Sequence, residues 1–192
     1  MKRVSLGRML MDKKNNTPVV ELKVEGTAKT IFIWIGACEA WALAMSMEGL
    51  SLERPMTHDL VISIIDSFNA VPDHIVIHSI KNGTFFANLV IKQSVENTEE
   101  KRMNHSQQYL EIDSRPSDCL VIASKLKVPI FVTSEVILEA GITETEIKKE
   151  GSEQNDSEKK EFRSFVDNFD INELRRYMDN DNNDFRGGGS GE

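Results

Sequence analysis

Hydrophobic residues along this chain fall first into short runs rich in β-branched and aromatic types, at residues 4–11, 18–24 and 30–35. Each run is strand-length, and the first two are separated by the turn-forming Lys13, Lys14, Asn15 and Asn16, so three strands are predicted to open the fold. The pattern then changes period. Gly36 stands as an N-cap with Glu39 three residues on, in capping-box spacing, ahead of the helix formers Ala40, Trp41, Ala42, Leu43, Ala44 and Met45. A second helix is predicted where Thr57 caps, Asp59 favours the first-turn dipole, and Leu60, Val61, Ile64, Ile65 and Phe68 recur at helical spacing.

The sequence of elements then begins again. Strands at 74–80 and 84–92 flank Lys81, Asn82 and Gly83, whose Asn-Gly pair is a hairpin signal, and residues 108–112 supply another strand after a polar stretch at 97–107. Ser114 and Pro116 open a helix over 118–126, and Thr133 opens a short last one with Glu135 in its first turn. The domain thus reads as α+β, a three-strand, two-helix unit used twice to form a compact mixed sheet. Two alignments support the duplication: Glu39-Ala40 with Asp118-Cys119, and Thr57-His58-Asp59-Leu60 with Thr133-Ser134-Glu135-Val136. Helix starts resemble one another for physical reasons alone, so the alignments define an expectation: Glu39 and Asp118 should occupy equivalent places.

Composition sets limits on this picture. With 192 residues, 40% of them hydrophobic, the chain can build one domain with a sizeable core and still carry a tail. The net charge is −8, and residues 141–192 hold 14 acidic and 8 basic residues, leaving residues 1–140 near −2. Bulk cationic attraction to nucleic acid or anionic membrane is not indicated. A domain at 1–140 is therefore expected, followed at 141–192 by an acidic linker, a helix with Phe162, Phe165, Val166 and Phe169 on one face, and a Gly-rich disordered end. Cys38 and Cys119 lack CxxC or Cys/His metal spacing and read as buried reduced thiols. No signal-peptide run and no 18-residue apolar stretch occurs, so a soluble, cytoplasmic protein is expected.

The candidate chemistry gathers at two Arg-Pro junctions, Arg54 to Leu60 and Asp113 to Asp118. Glu39, Arg54, His58, Asp59, Arg115 and Asp118, with Thr57, Ser114 and Ser117 as hydroxyl support, contain the parts phosphodiester cleavage uses. Carboxylates can hold a divalent cation such as magnesium, guanidinium groups neutralise phosphate, and a His or carboxylate moves a proton. A structural account is equally coherent: the acids suit helix first turns, Arg115 can pair with a neighbouring carboxylate, and His58 can be a cap or surface residue beside Asp59. His74, His78 and His105 read as strand or loop residues. HExxH, P-loop, GxSxG and GxGxxG patterns are missing, which disfavours zincin proteases, P-loop NTPases, the common hydrolase elbow and Rossmann dinucleotide binding.

Ile33-Trp34-Ile35-Gly36 followed by Glu39-Ala40, then Arg54-Pro55-Met56-Thr57-His58-Asp59-Leu60, Gly83-Thr84-Phe85-Phe86-Ala87, and Asp113-Ser114-Arg115-Pro116-Ser117-Asp118-Cys119 resemble, in order, the bifunctional nuclease family. The resemblance covers about residues 1–140, with Cys119 where an Ala commonly stands. It implies a duplicated fold, often in a homodimer, and cleavage of DNA, RNA or both. It carries Glu39, Arg54, His58, Asp59, Arg115 and Asp118 over as matching polar positions without fixing their roles, and side-chain chemistry makes Glu39, His58, Asp59 and Asp118 the expected catalytic residues. Asp59 and Asp118 are the expected ligands of a divalent metal, and Arg54 and Arg115 the phosphate clamps. Two other classes compete: a non-catalytic binding or regulatory module taking a small anion or a protein partner at the same polar set, and a protein whose function lies in dimerisation and its Phe-rich tail.

Overall fold

A computed structural model describes residues 1–12, 16–95 and 106–143. Strands β1 (Lys2–Asp12), β2 (Thr17–Val24) and β3 (Lys29–Trp34) form an antiparallel meander, followed by helices α1 (Ala37–Met47) and α2 (Thr57–Ser67). A second meander, β4 (Ala70–Lys81), β5 (Thr84–Val95) and β6 (Ser106–Ser114), leads into α3 (Pro116–Leu126), β7 (Ile130–Val132), α4 (Ser134–Ala140) and β8 (Ile142–Thr143). The α+β class and the repeated order of three strands and two helices are thus present. Lys81 and Thr84 pair across Asn82 and Gly83, both at positive φ (52° and 75°), as a two-residue hairpin turn demands.

All eight strands join one sheet in the order β6-β5-β4-β7-β1-β2-β3-β8. Neither β7 nor β8 is predicted from the sequence, because two or three residues are too few to show a period. β7 nonetheless joins the halves: it pairs antiparallel with β1, Lys2 opposite Val132, and parallel with β4, Ile75 opposite Ile130.

Helices α1 and α3 lie side by side and point the same way. Glu39 meets Arg115 near their N-termini, and seven residues further along α1 the buried Ser46 hydroxyl donates to Ser124 at 2.9 Å. Ala40, Ala42 and Ala123 are all buried, and side chains this small leave room for two helices to approach closely. α3 is enclosed on nearly every side, with Pro116, Ser117 and all residues from Cys119 to Ser124 buried. Leu22, Ile31, Leu43, Ile75, Ile77 and Leu120 anchor the core, each such side chain contributing about 1.5–3 kcal/mol by its removal from water.

Two expectations about burial need correction. Leu60, Ile64 and Phe68 do not face the core: they form the outer stripe of α2 and are about half exposed or more, while His58, Val61, Ile62 and Ile65 turn inward. Cys119 is buried as expected, but Cys38 is exposed because it precedes the point at which α1 enters the core. No helix among the described residues is long and apolar enough to cross a membrane. His105, most of the polar stretch, and the predicted acidic linker, Phe-rich helix and Gly-rich end lie outside the described residues.

Candidate functional site

Three helix N-termini meet here, those of α1, α2 and α3, and each carries one acid in its first turn: Glu39, Asp59 and Asp118. Aligned peptide dipoles and unpaired N–H groups at such ends favour negative charge, which is why an acid is stable in each. Gly36 N-caps α1 in extended conformation, and a Cβ at that position would collide with the Glu39 carboxylate. Glycine is therefore what lets Glu39 fold back over its own helix start. Arg115 N-caps α3, with Pro116 at the first helical position, where a missing N–H costs nothing.

Arg115 is the centre of the arrangement. Its Nε donates to Asp118 Oδ2 at 2.8 Å and its Nη2 to Asp118 Oδ1 at 3.1 Å, and Nη2 also forms an ion pair with Glu39 Oε1 at 2.8 Å. This fork on Asp118, followed by the Glu39 charge, raises the Arg115 pKa above its already high ordinary value. Nη1 has no partner among the described residues, and the side chain is 66% exposed. One edge of the guanidinium is thus clamped by two carboxylates and the other is presented to solvent.

Asp118 has a second partner, for His58 Nε2 donates to its Oδ1 at 3.1 Å. His58 Nδ1 is buried, and it is the single buried side-chain nitrogen or oxygen among the described residues that has no hydrogen-bond partner. Unsatisfied buried groups cost free energy and are uncommon, so one beside this ion network marks a place where structure has yielded to another demand.

Asp59 faces the other way. Its Oδ1 pairs with Lys125 Nζ of α3 at 2.9 Å, and its Oδ2 accepts the Met56 N–H at 2.9 Å. The Lys125 contact, aided by the Met56 N–H and opposed by partial burial, holds the Asp59 carboxyl below the ordinary value. Met56, and not Thr57, is the N-cap of α2. Methionine offers no oxygen to cap with, so the third residue of the helix, Asp59, reaches back to the Met56 N–H instead.

Of the residues singled out in the sequence, Glu39, His58, Arg115 and Asp118 form one connected network, and Asp59 adjoins it through His58. Arg54 is exposed in the loop before α2 and joins none of them by hydrogen bond or ion pair. Ser114 donates to the Ile112 carbonyl, so its hydroxyl supports the backbone and not the ion network. Lys125 was not anticipated; lying nine residues past Pro116, its position in α3 gives no local sign of its approach to Asp59. Both oxygens of Asp59 and both of Asp118 already accept from Lys125, Met56, Arg115 or His58. No three His, Cys, Asp or Glu side chains among the described residues form a metal-holding group. As arranged, this donor set does not fit a divalent cation.

Comparison with known proteins bears on the same residues. The bifunctional nuclease domain matches residues 20–145, which span the whole network. An uncharacterized protein of Mycobacterium tuberculosis (strain CDC 1551 / Oshkosh) is 28% identical over 162 residues, covering 82% of this chain and 88% of the relative. An uncharacterized protein of Mycobacterium tuberculosis (strain ATCC 25618 / H37Rv) matches to the same extent.

Proposed function

Because the chain belongs to the bifunctional nuclease domain family, we propose that it hydrolyses phosphodiester bonds of DNA, RNA or both at the Glu39–Arg115–Asp118–His58 network. The observation that carries this reading is the state of Arg115. Its inner edge is fixed by two carboxylates, while the outer Nη1 group is left free to donate to a phosphoryl oxygen. A guanidinium held in this way loses little freedom on binding an anion and stabilises the charge that grows on phosphate during displacement.

In this reading each remaining residue has a bounded task. Asp118, beside the bound phosphate, takes a proton from the attacking water as its oxygen bonds to phosphorus and the ester P–O bond breaks, the leaving oxygen taking a proton from solvent, while the His58 Nε2–H donated to Oδ1 orients the carboxylate. The expected roles of Glu39 and Asp59 narrow accordingly: Glu39 positions Arg115, and Asp59 fixes the α2 turn that carries His58. Arg54, exposed and uncommitted, is available to a second phosphate. No step is routed through a metal.

The test is cleavage of single-stranded DNA and RNA by Arg115→Ala and Asp118→Ala, singly, with and without magnesium. General acid–base groups and charge-stabilising donors each supply about 10²–10³-fold, so losses of that size are expected. Undiminished cleavage by folded variants refutes the assignment, and dependence on magnesium would return the metal to Asp59 and Asp118. A second reading, a module that binds an anion or protein partner without turnover, rests on the same open Nη1 edge of Arg115. That reading predicts anion binding at Arg115 with no turnover.

A further inference from the structure

All four helices send side chains into one core cluster, on the sheet face that carries Val20, Leu22, Ile31 and Ile33. On the opposite face, no helical side chain joins the smaller cluster of Leu10, Val19 and Phe32. That cluster is part of an apolar patch across β1, β2 and β3, where Val19 stands between Leu10 on one side and Trp34 on the other. Leu10 and Val19 are sealed at 1% exposure, whereas Trp34, held by its Nε1–H on Asp12 Oδ2 at 3.0 Å, is 55% exposed. Toward β5 and β6 the same face is mixed, Val90 and Tyr109 sharing it with Asn88, Lys92 and Glu111.

Size and chain course both bear on what covers this patch. Its open part, Trp34 and Phe32, offers on the order of 200 Å², against roughly 800 Å² per partner in a stable interface between separate proteins. A tethered segment needs far less, because its effective concentration is already about millimolar. The described chain ends at the edge nearest the patch: β8 lies beside β3, with Thr143 opposite Lys29, three residues or about 10 Å along β3 from Phe32. Residues 144–161 then give up to about 60 Å of reach before Phe162. Phe162, Phe165, Val166 and Phe169 are spaced to share one helical face about 10 Å long, which is the width of three adjacent strands.

We propose that the segment from Phe162 to Phe169 folds back on its own chain as a helix, with its apolar stripe on Phe32 and Trp34, and so covers the second face of the sheet at β1–β3. This surface lies across the sheet from α1 and α3, and the proposal stands whether or not the nuclease reading does. Trp41 is the one other tryptophan in the chain, so Trp41→Phe in the full-length protein leaves Trp34 as the sole indole reporter. In that background Phe165→Ser with Phe169→Ser should shift the Trp34 emission to the red and increase its quenching by acrylamide. Ser164→Gln, on the opposite side of the same predicted turn, should change neither. Read from the sheet, chymotrypsin should cut after Phe165 and Phe169 faster in Trp34→Ala than in wild type, with mass spectrometry assigning the cuts. Protection of Trp34 should not change on dilution through any change of mass seen by light scattering.

Quenching as strong in the Trp41→Phe parent as in its Phe variants overturns the proposal, since Trp34 is then open to water in the presence of the segment. Protection that is lost on dilution assigns the face to a second copy of the chain and overturns it equally. The Phe substitutions lie outside β1–β8 and leave the domain that carries Trp34 unaltered, so poor folding of Trp34→Ala does not remove the test.

Discussion

Asp59 offers the most closely defined perturbation, because its two oxygens perform two separable jobs. Oδ2 accepts the Met56 N–H, a group that α2 would otherwise leave unpaired, and Oδ1 meets Lys125 on α3. Replacing Asp59 by Ala removes both. Loss of a helix-capping acceptor costs about 1 kcal/mol, and the first-turn charge–dipole interaction adds about 0.3–1 kcal/mol. Exposed ion pairs contribute about 0–1 kcal/mol; Asp59 is about a third exposed, which calls for the lower half of that range, but the Lys125 side chain is only 17% exposed and loses its partner in a less forgiving place. The sum is about 2 kcal/mol, or about 4–8 °C in Tm for a domain of this size. Asp59→Asn keeps an oxygen for Met56 and loses the charge, so it should cost about half as much. The pH dependence has a defined sign. Since Lys125 and the Met56 N–H lower the Asp59 pKa, the charged interaction is fully present above the unfolded carboxyl value of 3.8 and is lost as pH falls from there through the lower folded value. Urea unfolding at pH 7 and pH 3 checks this: the gap between wild type and Asp59→Ala should be full at pH 7 and narrower at pH 3. An Asn variant as unstable as the Ala variant would refute the capping role, and a gap that widens in acid would refute the ion pair.

Two other expectations follow from the same geometry. Gly36 has an extended backbone that alanine tolerates, so Gly36→Ala should lower Tm by only a few degrees, while its Cβ displaces the Glu39 carboxylate from Arg115. Its effect on cleavage or phosphate binding should then be the same as that of Glu39→Ala, with the double variant no worse than either; full additivity would show that Glu39 does not act through Gly36. Burial pushes the Cys119 thiol up to about 12, whereas Cys38 is exposed, so a disulfide-exchange reagent should modify one thiol in the native protein and both in urea. A fast-reacting thiol in native Cys38→Ser would contradict that burial.

How far the sequence could be read depended on whether a feature was local. The Asn82-Gly83 hairpin, Pro116 at the start of α3 and Thr133 accepting the Val136 N–H are governed by backbone chemistry within a few residues, and each stands where the sequence puts it. β7 was not legible because three residues carry no period and its place depends on β1 and β4, both remote in sequence. The outer stripe of α2 was misread for a related reason. Leu60, Ile64 and Phe68 share helical spacing with Val61 and Ile65, and spacing alone does not tell which of two adjacent apolar stripes meets the core. Among the polar residues, the tie between Arg115 and Asp118 is local, three residues apart, but their meeting with Glu39 and His58 depends on α1, α2 and α3 starting at one place. No local signal distinguishes Arg115, drawn into the network, from Arg54, left outside it.

The duplication explains why this network has the composition it does. Offset by 79 residues, Glu39 of α1 corresponds to Asp118 of α3, and the same offset carries the N-cap Gly36 onto the N-cap Arg115. The second pair of helices follows a nearby register: Met56 caps α2 and Thr133 caps α4, so the halves align there by cap position, one residue away from the alignment of Thr57 with Thr133. A strictly repeated pair of helix starts would bring two acids and two arginines, or two acids and two glycines, to one place. With two arginines, each guanidinium would be neutralised by its own acid; with two glycines, two carboxylates would face each other unopposed. Divergence at this one position gives a third outcome. The glycine frees Glu39 to reach across, the single arginine is clamped by acids from both halves, and the guanidinium is rigid with one edge open. The asymmetry between equivalent caps, more than the presence of acids at helix starts, is what separates this arrangement from ordinary helix capping.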